Sequence, residues 1–161
     1  MEIRLIINED IPKWEYLSLE HNKYVKELVS DITEWYEGNE NSISFKKYME
    51  SKIKQKEAFM ATDNNGNCLG IIAFSYKNNN ITFFGINNNA NTEIIGNKLF
   101  SYVFSLLDKN KFININLMKS KSEWINRYKE IIVKNGFVFY GNTIENGVPV
   151  NTFVKSPNIM K

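Results

Sequence analysis

Residues 81–100, which read ITFFGINNNANTEIIGNKLF, decide the fold. The opening run Ile81–Ile86 is apolar and rich in β-branched and aromatic side chains, which predicts a strand. Polar turn residues follow, and apolar side chains then recur at spacings of three and four, which predicts a helix over residues 93–107. The apolar residues of this helix occupy more than one stripe, so we expect burial on two sides. The helix N-terminus would present unpaired N–H groups, which bind phosphate well.

The same periodicities divide the rest of the chain into strands and helices. Further strands are predicted at 2–7, 58–61, 68–76, 112–117, 137–141 and 148–155. Further helices are predicted at 14–38, 43–53 and 121–135. The order is βααβββαβαββ, which predicts one α+β domain over residues 1–161, with a mixed central sheet of about six to seven strands between helical layers (αβα).

Composition limits the classes of function. The chain has 161 residues and is 43% apolar, which is enough for one well-buried core. Its 20 basic and 18 acidic side chains leave a net charge of +2, which supplies no long-range field to attract nucleic acid. No apolar run approaches the roughly 20 residues that cross a bilayer, so we expect no membrane partner.

Cys68 is the single cysteine of the chain. It excludes an intramolecular disulfide and a cysteine-based metal cluster, and we predict no metal site. Its position on an apolar strand favours a packing role. The amino terminus lacks a charged region followed by an apolar signal core, so a cytoplasmic location is expected.

The segment Asn91–Leu99 resembles the pyrophosphate loop of the GNAT N-acetyltransferase family, whose pattern is Q/R-x-x-G-x-G/A. Gly96 matches the last glycine of that pattern, and Ile86 and Leu99 match the residues that end the strand and continue the helix. The element order resembles that of the family over nearly the whole chain. The resemblance therefore implies a GNAT fold that binds acetyl-CoA as the acyl donor.

The same segment departs from the family pattern at two positions and carries an extra charge. Ile94 replaces the first glycine, Asn91 replaces Gln or Arg, and Glu93 adds a carboxylate near the predicted phosphate site. A carboxylate beside a pyrophosphate costs about 1 kcal/mol in a wet site, comparable with what a helix dipole contributes. The resemblance assigns acetyl-CoA binding to Phe84, Gly85, Ile86, Asn91, Thr92, Glu93, Ile94, Ile95, Gly96, Asn97 and Asn126.

A second match lies at Glu130–Phe137, which is similar to the family's L-Y-x-x-x-G-F at the end of its last helix. Gly136 and Phe137 fit, but the family's tyrosine, which protonates the departing thiolate, falls on Ile132. Tyr128 lies one helical turn earlier and is the predicted catalytic acid. The alternative, an amphipathic tyrosine at the edge of the core, stays open.

The family's acceptor groove is walled by its first two helices and the loop between them. Acidic and aromatic side chains alternate there, and a cationic amine would be held by charge and cation–π contacts. The predicted substrate-binding residues are Asp31, Glu34, Trp35 and Tyr36. The alternative is an ordinary solvated helix face.

The resemblance implies an enzyme that transfers an acetyl group from acetyl-CoA to a primary amine of a small molecule or peptide, by direct attack in a ternary complex. An acyl-CoA-binding sensor or interaction module with impaired catalysis would explain Ile94 and Ile132 together. A structural, partner-binding α/β domain is the third reading. The acceptor, the acyl chain and the oligomeric state, a homodimer included, are left open by the sequence.

Overall fold

A computed structural model describes residues 1–18, 45–119, 123–145 and 148–158. The strands are β1 (Glu2–Leu5), β2 (Ala58–Thr62), β3 (Cys68–Ser75), β4 (Asn80–Ile86), β5 (Ile113–Met118), β6 (Phe137–Glu145) and β7 (Val148–Lys155). The helices are α1 (helical over 11–18, where the description of this segment ends), α2 (Phe45–Lys54), α3 (Thr92–Phe104) and α4 (Glu123–Lys134). The predicted element order is confirmed over these residues.

The seven strands form one mixed sheet in the order β1-β2-β3-β4-β5-β7-β6. Neighbouring strands are antiparallel except β4 and β5, which run parallel. A parallel pair needs a crossover connection, and α3 supplies it. None of the described helices is long and apolar enough to cross a lipid bilayer.

Both faces of the sheet are covered, as the αβα prediction requires. Along β2, Phe59 and Ala61 belong to the core beneath α3 and α4, whereas Ala58 and Met60 belong to the core beneath α1 and α2. All five residues of β2 are buried, because a central strand between two layers has no solvated face.

Helix α3 corrects one expectation, since it is buried on one side only. Its buried residues form a single stripe, consisting of Ile95, Gly96, Leu99, Phe100 and Val103. Ile94, Tyr102 and Leu106 are 52%, 39% and 37% exposed. The helix lies on the outside of its layer, so only the stripe that faces the sheet and α4 is covered.

A buried ion pair attaches α2 to the central strands. The ammonium of Lys52 lies 3.3 Å from a carboxylate oxygen of Glu57 and donates to the carbonyl oxygen of Phe74 at 2.6 Å. Glu57 in turn accepts the N–H of Tyr76 at 2.6 Å. Both charged side chains are buried, so each depends on the other for compensation.

Candidate active site

Strand β4 leaves its parallel neighbour soon after it begins. The two strands pair only at Asn80–Asn114 and Ile81–Ile115. The next residue, Thr82, is a β-bulge, because the register of β3 against β4 shifts by one residue there. A bulge bends its strand and increases the local twist, and the rest of β4 therefore diverges from β5 to leave a gap in the sheet.

The edge of β4 that faces this gap carries backbone donors. Successive N–H groups of a strand point alternately to its two edges. The N–H of Asn87 donates to the carbonyl oxygen of Leu69 on β3 at 2.9 Å, so the N–H groups of Ile86 and Phe84 point the other way, into the gap. The N–H groups of Ile86 and Phe84 are therefore not paired with β5.

Tyr128 of α4 fills the inner end of the gap. Its hydroxyl accepts the N–H of Ile86 at 2.7 Å and lies 3.4 Å from the carbonyl oxygen of the same residue. The side chain is only 3% exposed, and its ring packs on Phe84 with the ring centroids 5.2 Å apart. Tyr128 thus has the packing role that the sequence left open, and its hydroxyl lies beside strand residues to which the resemblance assigned acetyl-CoA binding.

The remaining cleft is small. It has a volume of about 10 Å³ and is lined by Ile86, Asn88, Thr92, Arg127 and Tyr128, which leaves room for about one water molecule. The cleft runs from the freed edge of β4 to the N-terminus of α3. A ligand longer than a water can therefore reach Ile86 only if Tyr128 moves.

The N-terminus of α3 forms the outer end of the cleft. Asn91 is its N-cap, and its side-chain oxygen accepts the N–H of Ile94 at 3.0 Å. The N–H of Ile95 makes the first intrahelical bond, to the carbonyl oxygen of Asn91. The N–H groups of Thr92 and Glu93 precede that bond, and such groups together with the helix dipole attract anions.

Arg127 adds a positive charge to the cleft, which it lines together with Thr92. Arg127 was not predicted as a site residue from the sequence. Its role becomes visible once α4 is packed beside α3. A guanidinium next to a helix N-terminus is well suited to a phosphate group.

The carboxylate of Glu93 forms an ion pair with Lys134 of α4. The two groups lie 2.8 Å apart and both side chains are more than half exposed. The hydrogen bond to Glu93 raises the pKa of Lys134 above its ordinary value. Lys134 therefore offsets the negative charge that was expected to weaken phosphate binding here.

Gly96 is a packing residue in this structure. It is buried, and a Cβ at this position would lie 3.0 Å from Ile131 and 3.2 Å from Phe84. The missing side chain therefore lets α3 approach α4 and β4 closely. Ile95 is buried in the same core, so cofactor binding by this pair would have to use backbone groups.

The other predicted cofactor-binding residues lie on the helix surfaces. Ile94 is exposed on α3, and its N–H is already occupied by the Asn91 cap. Asn97 accepts a hydrogen bond from the side-chain amide of Asn135 at 2.9 Å. Asn126 is exposed on α4, next to Arg127. Their binding roles stay predictions.

Gly85 faces the opposite side of the sheet from Phe84 and Ile86. A Cβ there would lie 3.1 Å from the ring of Phe83 and 3.3 Å from Leu17 of α1. The glycine thus allows α1 to approach the freed part of β4.

The second family motif, Glu130–Phe137, is matched at its end but lacks the family's tyrosine. Gly136 ends α4 with a φ of 95°, a conformation that glycine adopts without strain, and Phe137 is fully buried. Ile132, at the position of the family's tyrosine, is 0% exposed and belongs to the core between the sheet and the helices. A proton donor is therefore missing at that position.

Three further predictions concern the acceptor, the thiol and metals. Asp31, Glu34, Trp35 and Tyr36 lie outside the described residues. Cys68 packs against the core beneath α1 and α2, and burial raises the pKa of its thiol to about 11. Within the described part of the chain, no group of three His, Cys, Asp or Glu side chains is placed to hold a metal ion.

No family model matches the sequence, and no curated protein matches it. Solved structures do match. A GNAT-family acetyltransferase from Streptococcus agalactiae 2603 has a TM-score of 0.66 at 14% identity, over 98% of this chain and 96% of that chain. Naa20 of Chaetomium thermophilum, in complex with a bisubstrate analogue, has a TM-score of 0.65 at 16% identity, over 98% of this chain and 87% of that chain. The chain has the GNAT fold. The NatB acetyltransferase complex bound to CoA and MES has a TM-score of 0.64 at 12% identity, over 98% of this chain and 99% of that chain.

The GNAT fold inferred from the sequence is thereby confirmed, and two features of this chain bear on its function. Ile132 lies in the core where the family has its tyrosine. The hydroxyl of Tyr128 accepts the N–H of Ile86 on β4, which is not paired with β5 because the sheet is open there. Any function proposed for this GNAT fold has to account for both.

Proposed function

We propose that this chain is an N-acetyltransferase that uses acetyl-CoA and acetylates a primary amine. The observation that carries the proposal is the N–H of Ile86, which points into the gap beside the N-terminus of α3. A backbone donor on an opened strand is suited to bind a carbonyl oxygen. The fold that this chain shares with CoA-bound and bisubstrate-bound acetyltransferases supports the same assignment.

The residues of the cleft fit acetyl-CoA at the outer end. Arg127, with the first N–H groups of α3 at Thr92 and Glu93, would hold the pyrophosphate. The inner end fits only after Tyr128 leaves Ile86, because about 10 Å³ is free now. Displacement of one tyrosine side chain is therefore part of the proposal.

Acetyl-CoA would supply a thioester, whose carbonyl carbon is the electrophile for an amine. Ile86 would donate its N–H to the carbonyl oxygen and stabilise the negative charge that develops there. The amine nitrogen would form the new C–N bond as the C–S bond breaks, and it would lose its extra proton to solvent water. Tyr128, displaced from that N–H, would keep its hydroxyl beside the same site and donate its proton to the departing thiolate. Solvent water would then reprotonate the tyrosinate. The core residues around Phe84 would exclude water from the inner end. Positioning of the two reactants would supply most of the rate.

A second candidate function is an acyl-CoA sensor or interaction module without turnover. Two observations favour it: Ile132 occupies the position of the family's proton donor, and Tyr128 fills the gap in the resting structure. A protein that needs only to bind and release the donor tolerates both.

Calorimetry with acetyl-CoA and a thiol-release assay over a panel of amines separate the two candidates. Binding together with thiol release from at least one amine supports the transferase. Binding without release from any amine supports the module. Absence of binding at millimolar acetyl-CoA contradicts both functions.

A further inference from the structure

One end of the sheet is formed by segments that lie far apart in sequence, residues 54–57, 76–79, 105–112 and 155–158. Asn79 joins the second segment to the third. Its side-chain N–H groups donate to the carbonyl oxygens of Asp108 at 3.0 Å and Phe112 at 3.1 Å. Its side-chain oxygen accepts the N–H of Asp108 at 2.9 Å. The β3–β4 turn and the loop after α3 are therefore held together.

Two further hydrogen bonds attach the other segments to these loops. The carboxylate of Glu57 accepts the N–H of Tyr76 at 2.6 Å. The carbonyl oxygen of Lys109 accepts the N–H of Asn158 at 2.8 Å. The four segments thus form one surface, which we call the basic end.

The basic end concentrates positive charge. Its segments hold six basic and two acidic side chains, a net charge of +4, and the rest of the chain carries −2 because the whole carries +2. Glu57 is buried against Lys52, so Asp108 is the exposed acid of these segments. Five of the lysines are exposed, and no ion pair among the described residues includes them. They are Lys54, Lys56, Lys77, Lys109 and Lys111.

Large apolar side chains are exposed among these lysines. Phe112, Tyr76 and Leu106 are 61%, 49% and 37% exposed. The ring of Tyr76 packs edge-on against the buried ring of Phe74, with the centroids 5.0 Å apart. The carbonyl group of Phe112 is held by Asn79. Lysines that surround exposed aromatic and aliphatic side chains are typical of protein surfaces that lie at the boundary between lipid headgroups and acyl chains.

We propose that the basic end binds the surface of a membrane that contains anionic phospholipids. The lysines would contact the lipid phosphates, and Phe112, Tyr76 and Leu106 would enter the headgroup region. Leu106 favours lipid over single-stranded nucleic acid, because an aliphatic side chain offers no ring on which a base can stack. The exposed cations are lysines, whereas arginine is the residue suited to bidentate contacts with nucleic acid.

This proposal changes the expectation that the chain has no membrane partner. That expectation came from the lack of an apolar run able to cross a bilayer, and binding to the bilayer surface needs no such run. The small net charge of the whole chain also gave no sign of a basic surface. The charge separates only when the fold brings the four segments to one end.

The basic end lies at the opposite end of β4 from the candidate donor cleft. Strand β4 begins at Asn80, next to Asn79, and ends at Ile86, seven residues and about 20 Å further on. Helix α3 likewise begins at the cleft with Thr92 and ends at Phe104, beside the basic end. A chain that binds a membrane through the basic end would keep the cleft open to solution. The proposal therefore does not depend on the reaction.

The test is co-sedimentation of the full chain with lipid vesicles. One set contains about 70% phosphatidylcholine and about 30% phosphatidylglycerol, and the other contains phosphatidylcholine alone. We expect binding to the anionic vesicles at about 0.1 M NaCl, clear weakening at about 0.5 M NaCl, and no binding to the neutral vesicles. Equal binding to both sets, or no binding to the anionic set, overturns the proposal.

Two variants test the charges and the apolar contact separately. The double variant Lys77→Gln with Lys111→Gln should bind the anionic vesicles about 25-fold more weakly, at about fivefold for each lysine. Phe112→Ala should weaken binding about tenfold through lost apolar burial. Unchanged binding in either variant contradicts the proposed contact surface.

The matched control is the double variant Lys46→Gln with Lys129→Gln. Both lysines are exposed and lie outside the basic end, and the change in net charge is the same. We expect nearly unchanged vesicle binding, and thermal unfolding of all variants like that of the parent chain. An equal loss in the control would mean that net charge alone drives binding, which overturns the proposal.

Fluorescence anisotropy with a labelled oligo-dT of about 20 nucleotides measures nucleic-acid binding at the same salt concentration. We expect no saturable binding. Saturable binding of the oligonucleotide that requires Lys77 and Lys111, without binding to anionic vesicles, would overturn the proposal in favour of single-stranded nucleic acid.

Discussion

Replacing Tyr128 by Phe tests how the gap in the sheet works. The substitution keeps the ring that packs on Phe84 and removes only the hydroxyl that accepts the N–H of Ile86 at 2.7 Å. In the proposed mechanism, the carbonyl oxygen of acetyl-CoA and the hydroxyl oxygen of Tyr128 compete to accept that N–H. Removal of the hydroxyl should therefore change donor binding and turnover in opposite directions.

The magnitudes are estimated from the hydrogen bond between the Tyr128 hydroxyl and the N–H of Ile86. A neutral hydrogen bond contributes about 0.5–1.5 kcal/mol net, so loss of the competitor should tighten acetyl-CoA binding by about 1 kcal/mol, or about fivefold in Kd. In the unligated variant the N–H of Ile86 loses its partner, which should cost about 1–3 kcal/mol of stability. Loss of the proton donor should lower kcat by about 100- to 10,000-fold.

Calorimetry gives the Kd, urea unfolding gives the stability, and thiol release gives kcat. Tyr140→Phe is the control, because Tyr140 is largely exposed on β6, and it should change none of the three. Weaker acetyl-CoA binding in Tyr128→Phe would refute the competition between hydroxyl and donor. An unchanged kcat would refute the proton-donor role.

Three further predictions concern other parts of the molecule. Lys52→Met leaves Glu57 as an uncompensated buried charge and should lower the free energy of unfolding in urea by about 3–5 kcal/mol. The double variant with Glu57→Gln should be more stable than the single variant. Equal stability of the two variants would contradict the buried pair. Hydrogen bonding to Arg4 lowers the pKa of Asp10 below its ordinary 3.8, so the stability from this pair should be complete above about pH 5 and disappear as the pH falls through the lower folded-state pKa; the urea midpoint of Asp10→Asn should vary less with pH in this range. At pH 8, Cys68 with a pKa of about 11 should hold about 200-fold less thiolate than a free cysteine. Iodoacetamide should therefore modify Cys68 slowly, as followed by mass spectrometry. Modification as fast as that of glutathione would contradict the burial of the thiol.

The element order could be predicted because periodicity is a local property of the sequence. Strand and helix patterns around Ile81–Ile86 and Gly136 place the elements without knowledge of their partners. The two-sided burial predicted for α3 was wrong, because the pattern cannot show that a helix lies on the outside of its layer. Ile94 is exposed for this reason.

The site depended on contacts between residues distant in sequence. The bulge at Thr82 arises from the register of β3 against β4, which no single strand encodes. The direction of Glu93 depends on Lys134, 41 residues later, and the position of Tyr128 depends on how α4 packs across the gap.

A crystal structure of the chain with a non-hydrolysable acetyl-CoA analogue tests the proposed site directly. In this analogue a methylene group replaces the thioester sulfur. We expect the pyrophosphate to lie at Thr92 and Arg127 and the acyl carbonyl oxygen to accept the N–H of Ile86. We also expect the hydroxyl of Tyr128 to have moved away from that N–H. An analogue bound elsewhere while Tyr128 still accepts the N–H of Ile86, or no bound analogue at saturating concentration, would contradict it.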